Sequence, residues 1–417
     1  METNNSKSQV KALAIIGALF FIFGFVTWSN SVLIPYLRIA CELSNFQAYF
    51  VTTAFYIAYL VMAVPSALLL KVFGFKNGMA VGLIIMAVGA VLFIPAALSR
   101  MYPLFLVGLF IQGTGLTVLQ TASNPYIVIL GPLESAAKRI SIMGICNKAA
   151  GALAPILLGF IALSNIDQIK AKLPTLNLAQ KTLELNALAH KVILPYIVIV
   201  IVLVLLAILI FLSGLPEINT DNEENSEDQS HSTQTSIFQF PHLLIGAIAL
   251  FLYVGAEVLA GDSIISYGSS LHIPMATAKF FTACTMISMT AGYIIGIRCM
   301  PRFITQQKAL VVSAVLGIIL TLAALVTHGY SSVFCIALLG LANSLMWPAI
   351  WPLALADLGK FTKIGSSFLI MGIAGGAAIP LLYGKLVDLF SSQSAYAILI
   401  PIYIFILYFA AVGYRKR

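Results

Sequence analysis

Three ionisable side chains sit where the surrounding residues are almost entirely apolar: Lys148, Glu257 and Asp262, the last two within FLYVGAEVLAGD. A charge buried in such a stretch gives up several kcal/mol of hydration unless it is paired or wetted, so each of the three is a candidate for function. Three readings compete. Lys148 neutralises Glu257 or Asp262 in a structural bridge, or it tunes a carboxylate that takes up a proton or a sodium ion, or the charges are exposed to solvent near a helix end. Residues five apart on a helix point in directions about 140° apart. Glu257 and Asp262 therefore cannot share one face, and Glu257 is the favoured coupling group.

A second constellation is uncharged. Gly115 to Pro125 reads GLTVLQTASNP, in the middle of an apolar run from about Tyr102 to Leu130, and it carries Thr117, Gln120, Thr121, Ser123 and Asn124. An unpaired amide or hydroxyl in hydrocarbon costs a few kcal/mol, so these groups must turn toward other helices or a wet cavity. Lining a cavity, they would suit a solute made of hydroxyls; packed against a neighbour, they would hold helices together. The five histidines fall in loops or at the ends of apolar runs and form no metal-binding set. No glycine-rich loop with a lysine and a Ser/Thr follows a strand, which argues against an ATP-driven pump. Neither a cofactor nor a catalytic residue set is expected.

The elements that must position these groups are membrane helices. Of 417 residues, 60% are hydrophobic and 9% charged, whereas about 25% of an average soluble domain is charged. Apolar runs of spanning length number twelve, at about 12–37, 46–71, 77–98, 102–130, 139–163, 192–213, 241–270, 276–298, 307–327, 331–356, 361–387 and 394–414. With the N-terminus inside, fourteen Lys and Arg fall on the cytoplasmic side and eight outside, with Lys148 in a span. The excess places both termini in the cytoplasm and accounts for the net charge of +8 without nucleic acid.

Two segments interrupt the pattern. Asn165 to Lys191 is an outer loop with helical periodicity in its second half; Glu217 to Thr235 (EINTDNEENSEDQSHSTQT) is acidic and too polar to bury a core. The second divides the chain into a six-helix bundle at 1–213, an acidic cytoplasmic linker at 214–240 and another six-helix bundle at 241–417. Six plus six is the layout of secondary transporters whose halves rock about a site near the bilayer midplane. Asn124 and Pro125 correspond to Trp347 and Pro348, and Gly151 with Pro155 to Gly375, Gly376 and Pro380.

Several stretches carry a resemblance: SNFQAYFVTTAFYIAYL (44–60), LFLVGLFIQGTGLTVLQTASNPYIVILGP (104–132), FLYVGAEV (251–258) and NSLMWPAIWPLALADLGKFTKIGSSFLIMGIAGGAAIP (343–380). The chain resembles the fucose permease and glucose/galactose permease branch of the major facilitator superfamily over nearly its whole length. That resemblance implies an all-α membrane protein with twelve transmembrane helices in two six-helix bundles, a central cavity, and monosaccharide uptake coupled to a cation in a bacterial inner membrane, by a monomer. Ser31 stands where the fucose type has an aspartate and Gln120 where it has a glutamate, the latter as in the glucose/galactose type. Neither replacement can exchange a proton near neutral pH. An uncoupled facilitator, or a carrier of a different small polar solute, is therefore the alternative. Asn30 and Asn147 match polar positions of the family, Gly144 replaces a glutamine, and Trp347 occupies an aromatic position that could lie against a sugar face. The expected substrate-binding set is Asn30, Ser31, Gln120, Asn124, Asn147 and Trp347. Lys71 to Lys76 (KVFGFK) is expected as a cytoplasmic loop that lacks the aspartate of the family's longer motif.

Overall fold

The computed structural model describes residues 2–129, 136–215, 237–300, 303–358 and 361–416. Secondary structure among them is helical throughout. Eleven helical segments are long and apolar enough to cross a membrane. One of them, Asn45–Ser99, has 55 residues and at 1.5 Å per residue runs to about 80 Å, more than twice the hydrocarbon thickness. It breaks at Gly74, whose φ of 75° and ψ of 174° are non-helical. Only glycine adopts such a backbone without strain. Spans two and three are thus the limbs on either side of Gly74, and the crossings number twelve. The expected KVFGFK loop is a turn at one residue, flanked directly by helix.

The remaining crossings are span one (Ala12–Ala40), four (Tyr102–Asn124), five (Ile142–Ala162) and six (within Leu178–Leu212). After the acidic stretch Glu217 to Thr235, which lies outside the described residues, come seven (Pro241–Asp262), eight (Met275–Cys299) and nine (Gln306–Val326). Spans ten (Gly329–Leu355), eleven (Ile364–Leu389) and twelve (Ser392–Arg415) complete the chain. The multi-pass architecture follows from composition, because a helix satisfies its own backbone hydrogen bonds where water is absent.

Packing inside the two halves is duplicated. A Cβ on Gly113 of span four would overlap the Phe55 carbonyl of span two, and a Cβ on Gly340 of span ten would overlap the Thr285 carbonyl of span eight. Spans one and five meet where Gly24 abuts the Asn147 carbonyl; spans seven and eleven meet where Gly375 abuts that of Phe251. Membrane helices have little hydrophobic drive to associate, so close backbone approach at small residues supplies van der Waals contact instead.

The halves seal against each other at one end, again in duplicate. Short helices Asn45–Ala48 and Met275–Ala278 open spans two and eight. The Asp388 carboxylate, at the end of span eleven, accepts from Asn45 N at 3.2 Å, Asn45 Nδ2 at 2.7 Å and Phe46 N at 2.9 Å. Asp167, just beyond span five, accepts from Met275 N at 2.8 Å. Each carboxylate satisfies orphan N–H groups at the positive end of a helix in the other half. Gly384 and Gly159 admit Tyr49 and Lys279, the residues that follow the two short helices. At the same end lies the helix expected in the outer loop, Leu178–His190, with an Asn177–Gln180 capping box. Tyr36 Oη of span one donates to the Leu188 and Ala189 carbonyls at 2.6 and 2.9 Å, holding that helix down.

Candidate functional site

Away from the sealed end, the halves enclose a small cavity of about 20 Å³. Tyr59, Thr117, Gln120, Thr121 and Asn124 form its wall on the N-terminal half, and Trp347, Trp351, Ile370 and Ile373 the wall opposite. Span four places its polar residues here because Gln120 and Asn124 are one helical turn apart and share a face. Counted from the sealed ends, Gln120 lies 18 residues beyond Tyr102 and Trp347 18 beyond Gly329, while Asn124 and Trp351 each lie 22 beyond. The two walls therefore meet level, amide against indole.

The polar wall is organised by hydrogen bonds. Gln120 Nε2 donates to Tyr59 Oη at 3.0 Å. The Thr117 and Thr121 hydroxyls donate back to the carbonyls of Gly113 and Thr117, both at 2.8 Å. The threonines are thus occupied within their own helix, and the amides of Gln120 and Asn124 carry this wall's directional chemistry. Opposite, Trp347 and Trp351 stack with centroids 5.2 Å apart and planes at 24°, and Tyr253 lies 6.5 Å from Trp347. A hydroxyl-edged ring with a C–H face matches one amide wall and one aromatic wall. About 20 Å³ admits a water molecule, so a larger solute enters only when the walls part. A bigger hollow of about 430 Å³ between Phe251 and Phe368 is lined only by Ala, Ile, Leu, Phe, Met and Gly. It offers no polar side chain to orient a polar solute.

Of the six expected substrate contacts, the cavity brings together Gln120, Asn124 and Trp347. Asn30, Ser31 and Asn147 are not among its lining residues. Ser31 Oγ donates to the Trp28 carbonyl at 2.7 Å, and Asn147 Nδ2 donates to Phe20 O at 3.4 Å, so both side chains serve helix contacts. Asn30 is buried with no hydrogen-bond partner for its Nδ2. Sequence reasoning passed over Tyr253, Ile370 and Ile373. Tyr253 could have been found one turn before Glu257 in FLYVGAEV; isoleucines in a membrane span give no signal.

The buried charges lie between the halves. Lys148 Nζ of span five is 2.7 Å from Glu257 Oε1 of span seven, and 4.7 Å from the centroid of Trp28 in span one. Trp28 is pinched at its edges by Gly151 and Gly261, where an added Cβ would collide with it on either side. Asp262, five residues after Glu257, is fully buried, and neither carboxylate oxygen has a hydrogen-bond partner.

Twelve crossings in two like-packed halves, meeting at a cavity and at a cross-half ion pair, define the architecture of a secondary transporter. The family is shown directly: the chain belongs to the Major Facilitator Superfamily, whose profile matches residues 16–375. It is 34% identical over 418 residues to the glucose/galactose transporter of Brucella abortus biovar 1 (strain 9-941), covering 100% of this chain and 97% of that one. It is 31% identical over 421 residues to the L-fucose-proton symporter of Escherichia coli (strain K12), covering 100% and 95%. The crystal structure of FucP, a major facilitator transporter in the outward conformation, superposes with a TM-score of 0.72 at 29% identity over 97% of this chain and 99% of that one. The D-xylose-proton symporter structure, at 16% identity and a TM-score of 0.70, shares the fold.

Proposed function

We propose that the protein carries a monosaccharide of the glucose, galactose or fucose class across a bacterial inner membrane by alternating access, coupled to a cation. The single observation carrying this reading is the cavity's composition, with Gln120 and Asn124 facing Trp347 and Trp351 across the boundary between halves. Full-length similarity to named sugar carriers supports it. With both termini cytoplasmic, the end latched by Asp388 and Asp167 is the outer one, and the conformation is closed to the outside. Gln120, Asn124 and Trp347 make the first sugar contacts. Asn30, Ser31 and Asn147, on spans one and five, join them when those spans tilt. Lys148, Glu257 and Asp262 form the coupling group at the boundary between halves.

An uncoupled facilitator is the second reading, favoured by Ser31 and Gln120 standing where the fucose type has carboxylates. A thermal-shift screen of purified protein against hexoses, 6-deoxyhexoses and unrelated polar solutes, with and without sodium, tests the substrate class. A ligand that binds only the folded state raises Tm. Stabilisation by a hexose or deoxyhexose and not by the other solutes supports the proposal; the reverse pattern removes it.

A further inference from the structure

Asp262 ends the helix Pro241–Asp262 and has no exposed surface. Its two carboxylate oxygens are without a hydrogen-bond partner, and no ion pair reaches it among the described residues. Two neighbouring hydroxyls are used elsewhere, and that of Ser266, four residues on, makes no hydrogen bond to it. Ser263 Oγ donates to Leu259 O at 2.5 Å and lies 2.6 Å from Tyr396 Oη, while Thr282 Oγ1 donates to Gly261 O at 2.8 Å. Lys148 is held by Glu257 and by the face of Trp28, whose far edge rests on Gly261. An ionised carboxylate here would be buried with no counter-charge.

We propose that Asp262 is the residue that carries the coupling proton, held as the neutral acid while the halves close over it and released when they part. The inference rests on the carrier reading above. The titratable groups facing Asp262 are Glu257 on its own helix and Tyr49 and Tyr56 on span two, with Tyr396 of span twelve reached through Ser263. Arg38 of span one is exposed and Lys279 of span eight lies over the Phe160 ring, so neither neutralises it. Glu257 is already paired with Lys148, so an ionised Asp262 would be left with no counter-charge of its own. Binding a proton from the outer side removes that uncompensated charge and lets the outer end seal; opening to the inside admits water, and the acid ionises. A sodium ion needs a shell of several oxygens, and the hydroxyls of Ser263 and Thr282 are turned toward carbonyls. A proton needs none.

The test uses full-length protein in liposomes carrying an internal pH dye. On adding the sugar identified by the binding screen, wild-type protein should acidify the lumen in step with sugar entry, with or without sodium. Asp262→Asn should reduce proton movement per sugar at least tenfold, and Asp262→Glu should restore it. Proton movement undiminished in Asp262→Asn, or sugar entry driven by sodium without protons, overturns the proposal. Should Asp262→Asn fail to fold, wild-type protein still decides. Dicyclohexylcarbodiimide reacts with protonated carboxyls in apolar surroundings, and peptide mass spectrometry should find its adduct on Asp262 in preference to Glu257. An adduct on Glu257 with Asp262 unmodified overturns the proposal. Absence of any saturable sugar entry by wild-type protein would instead reject the carrier reading, a separate outcome.

Discussion

Lys148 and Glu257 lie 2.7 Å apart on spans five and seven, so an ion pair ties the two halves of the molecule together in a layer that excludes most water. Removing one partner leaves the other charge buried alone, whereas removing both leaves no buried charge. Lys148→Ala should therefore lower stability by about 3–5 kcal/mol, and Lys148→Ala with Glu257→Gln should recover most of it. Thermal unfolding of the purified variants checks this; equal loss in single and double variants would show that the pair does not act as a unit.

The amide wall has its own signature. Gln120→Ala deletes the group bonded to Tyr59 and should weaken sugar binding about tenfold, equivalent to about 1.4 kcal/mol. Trp347→Ala should weaken it by a similar or larger factor, with Trp347→Phe restoring part because a flat ring remains. Equilibrium binding of labelled sugar measures both.

The duplicated glycine contacts predict matched effects in separate halves. Gly113→Ala and Gly340→Ala each drive a methyl into a facing carbonyl and should each cost about 1–3 kcal/mol. The two sites share no partner, so the double variant should show their sum within about 0.5 kcal/mol. Unfolding midpoints of the two single variants and the double variant give the comparison.

Asp388 and Asp167 should act on conformation more than on folding. Each carboxylate at a helix N-terminus contributes about 0.3–1 kcal/mol, so Asp388→Asn or Asp167→Asn should raise the population parted at this end about two- to fivefold. Thr53 Oγ1 bonds to Ala377 O across the same seam at 3.0 Å. The alkylation rate of a cysteine at position 53 should rise by that factor in each variant, and by the product in both.

How much of this was readable beforehand follows the range of the forces involved. Span number was legible because hydropathy is local, and the amide wall because five polar side chains between Thr117 and Asn124 cannot face lipid. The Lys148–Glu257 contact was legible as one of two pairings, since a buried lysine must find a carboxylate; that Asp262 is the one left alone needed coordinates. The Gly74 turn hid because a glycine in KVFGFK reads equally as loop. The Asp388 and Asp167 caps hid because their partners lie more than a hundred residues away and an exposed aspartate at a helix end gives no local signal. The places of Asn30, Ser31 and Asn147 outside this small cavity needed coordinates, because polar type alone does not say which side chains line a pocket in a given conformation.

The most direct test of the central claim is uptake of labelled glucose, galactose and fucose into liposomes containing the purified protein, with an imposed inward proton gradient. One of these sugars should accumulate above its outside concentration, saturably, and Gln120→Ala with Trp347→Ala should abolish that accumulation in protein that still folds. Uptake that is non-saturable for all three, or unchanged by removing both walls of the cavity, would contradict it.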